Sequence, residues 1–268
     1  MQGPLIILFI ILLIVSIKKS PSKNAITPLK CPAFCFIVKD GAKYLEQNLN
    51  RIIHFAKRFP SWKIFYVEND SSDKTIQILE TFTKIHKNIT GKNLRLEDGK
   101  HSTELCDDPG KPNCPKRTRR LAFLRQECLK MVLLEKQCTE MVMMDMDFVD
   151  FDPEELSNMF KIFSQQKIDG IFGMSITTNG CPYDTGALNP RDITLEKIKN
   201  GDKIITVKSA FSGFGIYSMD AMRSNKAKYN SRETKIEHHY FNGHFRNLKL
   251  YSNFKPIYAG PCYSSHRF

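Results

Sequence analysis

The chain has 268 residues, enough for one large domain or two small ones. Its 41% hydrophobic and 25% charged content is that of an ordinary globular protein and excludes a disordered or fibrous one. The formal charge of +12 suits anionic partners. No zinc-finger spacing, RNP aromatics or basic repeat is present, so the expected partner is an anionic substrate and not nucleic acid.

Residues 1–17 carry no charged side chain, and Leu5 to Val15 is unbroken Leu, Ile, Phe and Val. Seventeen residues is the short limit for a spanning helix. The competitor, a cleaved signal peptide, wants a basic start and an A-x-A-like cut site. Lys18-Lys19-Ser20 follows instead, so 1–17 is expected to be an uncleaved signal-anchor. Residues 18–32, with three prolines and several lysines, read as a stem, and 33–268 as the globular domain. Orientation carries two opposed signals. Lys18, Lys19, Lys23 and Lys30 follow the apolar run, which by the positive-inside rule leaves the domain in the cytosol. Eight cysteines and the acceptor triplet Asn88-Ile89-Thr90 suit a secretory lumen, and the lumen of a single-pass type II arrangement is the expectation. Cys106 and Cys114 bracket a short Pro/Gly/Asp segment that they would close as a loop. Cys35 and Cys128 lie in apolar or helical patterns and read equally as core thiols.

Pro32 to Val38 is the first expected strand, and Tyr44 to Phe59 has helical spacing. Trp62 to Val67 is the second strand, followed by a helix from about Lys74 to His86 with Asp73 as N-cap. Leu94-Arg95-Leu96 is a short third strand, and Thr118 to Lys136 a strong helix after a long loop. The apolar run Glu140 to Asp145 reads as a buried parallel strand, and Pro153 opens the helix after it. Gly170 to Met174 returns to the sheet. This alternation predicts a mostly parallel α/β sheet with helices on both faces. G-x-G-x-x-G and P-loop patterns are both missing, so a bound nucleotide is held by other means.

Ligands of open α/β sheets sit beyond the carboxyl ends of the strands. Asp145 and Asp147 stand at one such end, spaced i, i+2, and are hard oxygen ligands suited to Mn²⁺ or Mg²⁺. The acidic turn Glu68-Asn69-Asp70-Ser71-Ser72-Asp73 ends the second strand, so it lies on the same edge. Its residues also make ordinary turns and caps. The helix bearing Arg117, Arg119, Arg120 and Arg125 begins with clustered guanidiniums, either an anion site or a solvated basic face. Cys181 to Asp192 is a turn-rich loop, and Ser209 to Gly215 a small-residue segment able to pass close to a ligand. Glu237-His238-His239 sets a carboxylate beside two imidazoles, which on a strand would face opposite ways. His266 stands near the end of the chain.

Glu68-Asn69-Asp70-Ser71, Asp73, Thr75, Arg120-Leu121-Ala122, Arg125, Asp145-Met146-Asp147, Tyr183-Asp184-Thr185, Arg191-Asp192, Ser212-Gly213, Glu237-His238 and Phe241-Asn242 follow one another in this order. The ordered set resembles the fungal capsule-associated α-1,3-mannosyltransferases of the Cap59 type, and more broadly the GT-A nucleotide-sugar transferases. The resemblance spans about residues 33 to 260, and departs from the pattern where His239 stands in place of an apolar residue. It implies a Rossmann-like GT-A fold, an NDP-sugar donor with GDP-mannose as first choice, and a glycan or glycoconjugate acceptor. It further implies a divalent ion on Asp145 and Asp147, with His266 as a further metal or diphosphate contact. By the same resemblance Glu68, Asp70, Arg120 and Arg125 contact the nucleotide. Tyr183, Asp184 and Asp192 shape the sugar and acceptor pocket. Glu237 is the best candidate for the catalytic base or for orienting the acceptor hydroxyl, with Asp184 as the second catalytic residue. Two other functions stay open: a non-catalytic lectin-like or scaffold protein on the same fold, and a metal-dependent nucleotidyltransferase or phosphohydrolase using Asp145 and Asp147.

Overall fold

The computed structural model describes residues 31–96, 115–230 and 236–260. The expected signal-anchor and most of the stem, Cys106, Cys114 and His266 lie outside the described residues. Among the described residues no helix is long and apolar enough to cross a membrane.

In chain order the elements are β1 (Pro32–Val38), α1 (Ala42–Ala56), β2 (Lys63–Asn69), α2 (Thr75–Ile85), β3 (Ile89–Leu94), α3 (Pro115–Leu134) and β4 (Glu140–Asp145). Then come β5 (Phe148–Asp150), α4 (Pro153–Gln166), β6 (Gly170–Gly173), β7 (Ile176–Thr177), α5 (Arg191–Lys199), β8 (Ile204–Val207) and β9 (Phe214–Ser218). The last are α6 (Met219–Ser224), α7 (Glu237–Asn242), β10 (Leu248–Tyr251) and β11 (Ile257–Tyr258). Eight strands form one sheet in the order β3-β2-β1-β4-β9-β6-β10-β8, and β5-β11-β7 form a small second sheet.

β1, β2, β3 and β4 are mutually parallel because helical crossovers return the chain to the same end of the sheet each time. β9 runs antiparallel between β4 and β6, and β8 runs antiparallel on the edge beside β10. The expected mostly parallel sheet is therefore present, with an insertion that the sequence alternation did not show. The third strand begins at Ile89, earlier than Leu94. Its residues are mostly polar on a sheet edge, and only Ile89 is buried, opposite Ile64, so no apolar run marks it.

Both faces of the parallel strands are covered, and side chains alternate between two cores. Phe34, Phe36, Val142 and Met144 pack with Leu45, Leu49, Leu79 and Phe160 of α1, α2 and α4. Ala33, Cys35, Met141 and Met143 pack on the other side with Leu124, Cys128 and Phe241 of α3 and α7. Full burial of each such large apolar side chain is worth about 1.5–3 kcal/mol. Two disulfides tie the second core together: Cys31 to Cys138, and Cys35 to Cys128, the pair that read equally as free thiols in the sequence. Among the described residues no cysteine is free.

The helix starts follow local chemistry. Asp152 caps α4, accepting from the backbone N–H groups of Glu154 at 2.8 Å and Glu155 at 3.3 Å, with Pro153 in the first turn. Lys74 takes the N-cap position of α2 without a side-chain cap bond, one residue after the expected Asp73, because α2 begins only at Thr75. Asp73 accepts from the Thr75 N–H at 2.9 Å and also from the Ala42 N–H at 3.0 Å. That second bond fastens the β1–α1 loop to the β2–α2 loop, fixing the carboxyl edge of the sheet.

Candidate active site

The register of the parallel strands decides which residues meet at the carboxyl edge. Val38 of β1 lies opposite Glu68 of β2, and Ile37 lies opposite Asp145 of β4. The acidic turn and the aspartate pair therefore share one edge, as the sequence predicts.

Glu68 is buried and its Oε1 accepts from the Ser71 N–H at 2.7 Å. That bond holds the turn closed. Asp70 sits at a φ of 49°, in the left-handed region, and its Oδ1 accepts from the Leu96 N–H at 3.3 Å. Arg120 approaches Asp70, Nη2 to Oδ2 at 3.6 Å, with its side chain only 8% exposed. A buried guanidinium beside a half-buried carboxylate is an ion pair at the sheet edge and not a solvated basic face.

Asp145 closes β4, and its backbone N–H donates to the Gly213 carbonyl at 2.9 Å. Its carboxylate accepts from Arg125 Nη2 at 3.0 Å. Nε of the same arginine lies 3.3 Å from Glu237 Oε1, and its Cζ lies 4.7 Å from the centre of the Phe211 ring. Burial alone disfavours the charge on Arg125. The Asp145 and Glu237 carboxylates outweigh it and hold the pKa above the usual arginine value. Arg120 and Arg125 thus both turn inward from α3, one to each strand end.

Asp147 is exposed toward the cleft, but protein crowds its carboxyl group. Loss of solvent, then the charge of Asp145, push its pKa up to about 6. Asp184, also exposed and at a φ of 41°, is raised to about 6 by loss of solvent and then by the charges of Asp145 and Glu237. Both are groups in a crowded cleft, not core residues. Asp184 borders a small recess lined also by Thr185, Ala210, Phe211 and Ser212.

Glu237 and His238 stand on a helix, α7, the case the strand argument left open, and Phe241 and Asn242 one turn on are buried with them. Glu237 is buried, with 5% of its surface exposed, and is bound to Arg125. His238 stacks on Phe211 with ring centres 3.7 Å apart, and burial pushes its pKa well down. Asp192, in the first turn of α5, is 91% exposed and pairs at 3.6 Å with Arg191; no described contact joins it to the acidic cluster.

One residue escaped the sequence reading as part of the site. Tyr258 donates from its hydroxyl to the Gly213 carbonyl at 3.0 Å, under the Asp145 strand end, and nothing local in the sequence shows that it reaches there. Exposed Arg117, one of the clustered guanidiniums that open the helix, supplies positive charge to Asp147 and Asp184.

Asp145 and Asp147 fit a hard divalent cation. They are oxygen donors two residues apart; loss of solvent first, and the charge of Asp145 second, disfavour the ionised Asp147, and a cation would relieve both. Among the described residues no group of three or more His, Cys, Asp or Glu is placed to hold a metal. Such an ion would therefore take the remaining ligands from substrate phosphates and water.

No protein-family model matches the chain, and no curated protein sequence does. Solved structures do match. S. aureus TarS 1-349 in complex with UDP-GlcNAc gives a TM-score of 0.53 at 15% identity, covering 88% of this chain and 61% of that one. The mannosyltransferase PcManGT from Pyrobaculum calidifontis, in complex with GDP-Man and Mn²⁺, gives 0.55 at 12% identity, covering 91% of this chain and 61% of that one. This chain thus spans about three-fifths of the length of those neighbours. With its mostly parallel sheet covered by helices on both faces, it has the Rossmann-like GT-A fold of the glycosyltransferases.

Proposed function

We propose that this chain is a glycosyltransferase that moves a sugar from an NDP-sugar to a hydroxyl of a glycan or glycoconjugate acceptor. GDP-mannose is the first-choice donor, in line with the Cap59-type resemblance and with the ligand of the Pyrobaculum neighbour. The observation that carries this function is the meeting, on one sheet edge of a GT-A fold, of Glu68 and Asp70 with Asp145 and Asp147. Glu68, Asp70 and Arg120 would face the nucleoside and Arg125 the diphosphate side. A divalent ion, Mn²⁺ or Mg²⁺, held by Asp145 and Asp147 would neutralise charge developing on the leaving diphosphate.

The two catalytic carboxylates divide by environment. Asp184 is open to the cleft with a pKa near 6, the state suited to a general base. It would take the proton of the acceptor hydroxyl as that oxygen bonds to the sugar C1 and the bond from C1 to the diphosphate breaks. Glu237, buried and ion-paired, would act from behind by holding Arg125. Disulfides joining Cys31 to Cys138 and Cys35 to Cys128 support a secretory-lumen location behind an anchor formed by residues 1–17.

A donor screen tests the function: hydrolysis and transfer of several NDP-sugars with Mn²⁺, Mg²⁺ or chelator. Mn²⁺-stimulated turnover of GDP-mannose is expected. Turnover of no NDP-sugar under any of these conditions refutes it.

A further inference from the structure

Among the described residues Arg125 is the one that touches both Asp145 and the carboxylate of α7. It holds Asp145 through Nη2 at 3.0 Å and Glu237 through Nε at 3.3 Å, and its side chain is 4% exposed. Asp145 lies 20 residues along the chain from it and Glu237 lies 112. The guanidinium is set from a third side by the Phe211 ring, which itself stacks on His238. Its buried Nη1 has no hydrogen-bond partner among the described residues. The planar fork is thus fully positioned but not fully used.

Physical consequences follow from that geometry. A carboxylate oxygen accepting from a guanidinium is a poorer cation ligand than a free one, because the positive charge opposes the incoming ion. A cation at Asp145 therefore competes with Arg125. The competition is eased when Arg125 has a second carboxylate to rest on, and Glu237 is that carboxylate. Without Glu237 the whole charge of Arg125 is directed at Asp145.

We propose that Arg125 and Glu237 are positioning residues of the metal site, with Glu237 setting the cation affinity of Asp145 by drawing Arg125 off it. This rests on Asp145 being a metal carboxylate, as under the proposed function. It adds a role that does not depend on the sugar or on the acceptor. Lysine cannot substitute for Arg125 in this role, since a single ammonium lacks the rigid fork that spans two carboxylates.

The test is a double-mutant cycle on Mn²⁺ binding, followed by electron paramagnetic resonance of free Mn²⁺ with GDP present and no acceptor. E237Q alone is expected to weaken Mn²⁺ binding about 10-fold, within the range for groups that orient metal ligands. In an R125M background the same change is expected to alter it less than about 2-fold, because the connecting residue is gone. If R125M does not fold, as judged by circular dichroism, the R125K background replaces it, with the E237Q effect again expected to fall below about 2-fold. An equal effect of E237Q with and without Arg125, or no effect in either, overturns the coupling. Absence of Mn²⁺ binding by the unaltered chain overturns the metal assignment as well, whereas a wild-type chain that binds Mn²⁺ but turns over no NDP-sugar leaves the coupling standing and removes only the proposed activity.

Discussion

Tyr183 stacks on Tyr258 with ring centres 4.1 Å apart and planes 7° from parallel. The pair joins the loop that carries Asp184 to the short strand β11. The Tyr258 hydroxyl donates to the Gly213 carbonyl at 3.0 Å, and the Asp145 carbonyl lies 3.4 Å away. Gly213 has a φ of +78°, and a Cβ there would stand 2.4 Å from the Tyr258 oxygen. Gly213→Ala is therefore expected to destabilise the protein by at least about 1–3 kcal/mol and to shift the Asp145 backbone. A urea titration measures the first effect and Mn²⁺ affinity the second. An alanine variant with unchanged midpoint and affinity would remove this role for the glycine.

Asp147→Ala is expected to abolish Mn²⁺ stimulation of turnover while leaving the fold intact, because the side chain is exposed to the cleft. Asp145→Ala is expected to lose stimulation and stability together, since it leaves buried Arg125 with a single carboxylate. Thermal unfolding beside metal-dependent turnover separates the two variants. Equal stability of both would show that the Arg125–Asp145 pair is not needed by the fold.

Asp184→Asn is expected to lower turnover at saturating donor by about 10²–10⁴-fold with donor affinity little changed, as for loss of a general base. Glu237→Gln is expected to act chiefly on metal and donor affinity, because its carboxylate is occupied by Arg125. The opposite pattern, measured as kcat against KM, would exchange the two roles.

Glu140 opens β4, is buried, and accepts from the Thr139 hydroxyl at 2.6 Å. Burial, and then the charge of Asp220, push its pKa from 4.5 up to about 7, against the lowering effect of that hydrogen bond. A carboxyl whose folded pKa is raised binds its proton more tightly in the folded state. Its stabilising contribution is fully present below about pH 4.5 and is lost as pH rises through about 7. Glu140→Gln is thus expected to match the parent near pH 4, below the unfolded value of 4.5, and to exceed it at pH 8 by the order of 1–3 kcal/mol. Denaturant midpoints at the two pH values decide it, and a gap that does not widen with pH would refute it.

Asn88 is half-buried where the chain enters the edge strand β3, and Thr90 of the same triplet is exposed. If the domain faces the secretory lumen, Asn88 is expected to gain a glycan in a microsome assay, and Asn88→Gln to lose it. The second triplet, Asn69-Asp70-Ser71, is expected to stay unmodified, since Asn69 is buried at the carboxyl edge. Digestion of the domain by protease added outside the microsomes would place it in the cytosol instead.

Sequence by itself determined the parallel half of the sheet and its acidic edge. The runs Pro32–Val38 and Glu140–Asp145 are apolar on both faces, and such runs alternating with amphipathic helices leave few other arrangements. Parallel strands deliver their carboxyl ends to one side, which brought the acidic turn and Asp145 together before any coordinate was known. Tertiary structure alone decided the insertion of β9 between β4 and β6, the helical state of Glu237, and the partners of Arg125. Local periodicity reports which face of an element is buried, not which distant element covers it. The pairing of Arg125 with Asp145 and Glu237 depends on how α3 and α7 are rotated against the sheet, and Cys128, Phe211 and Phe241 share the core in which both helices are packed.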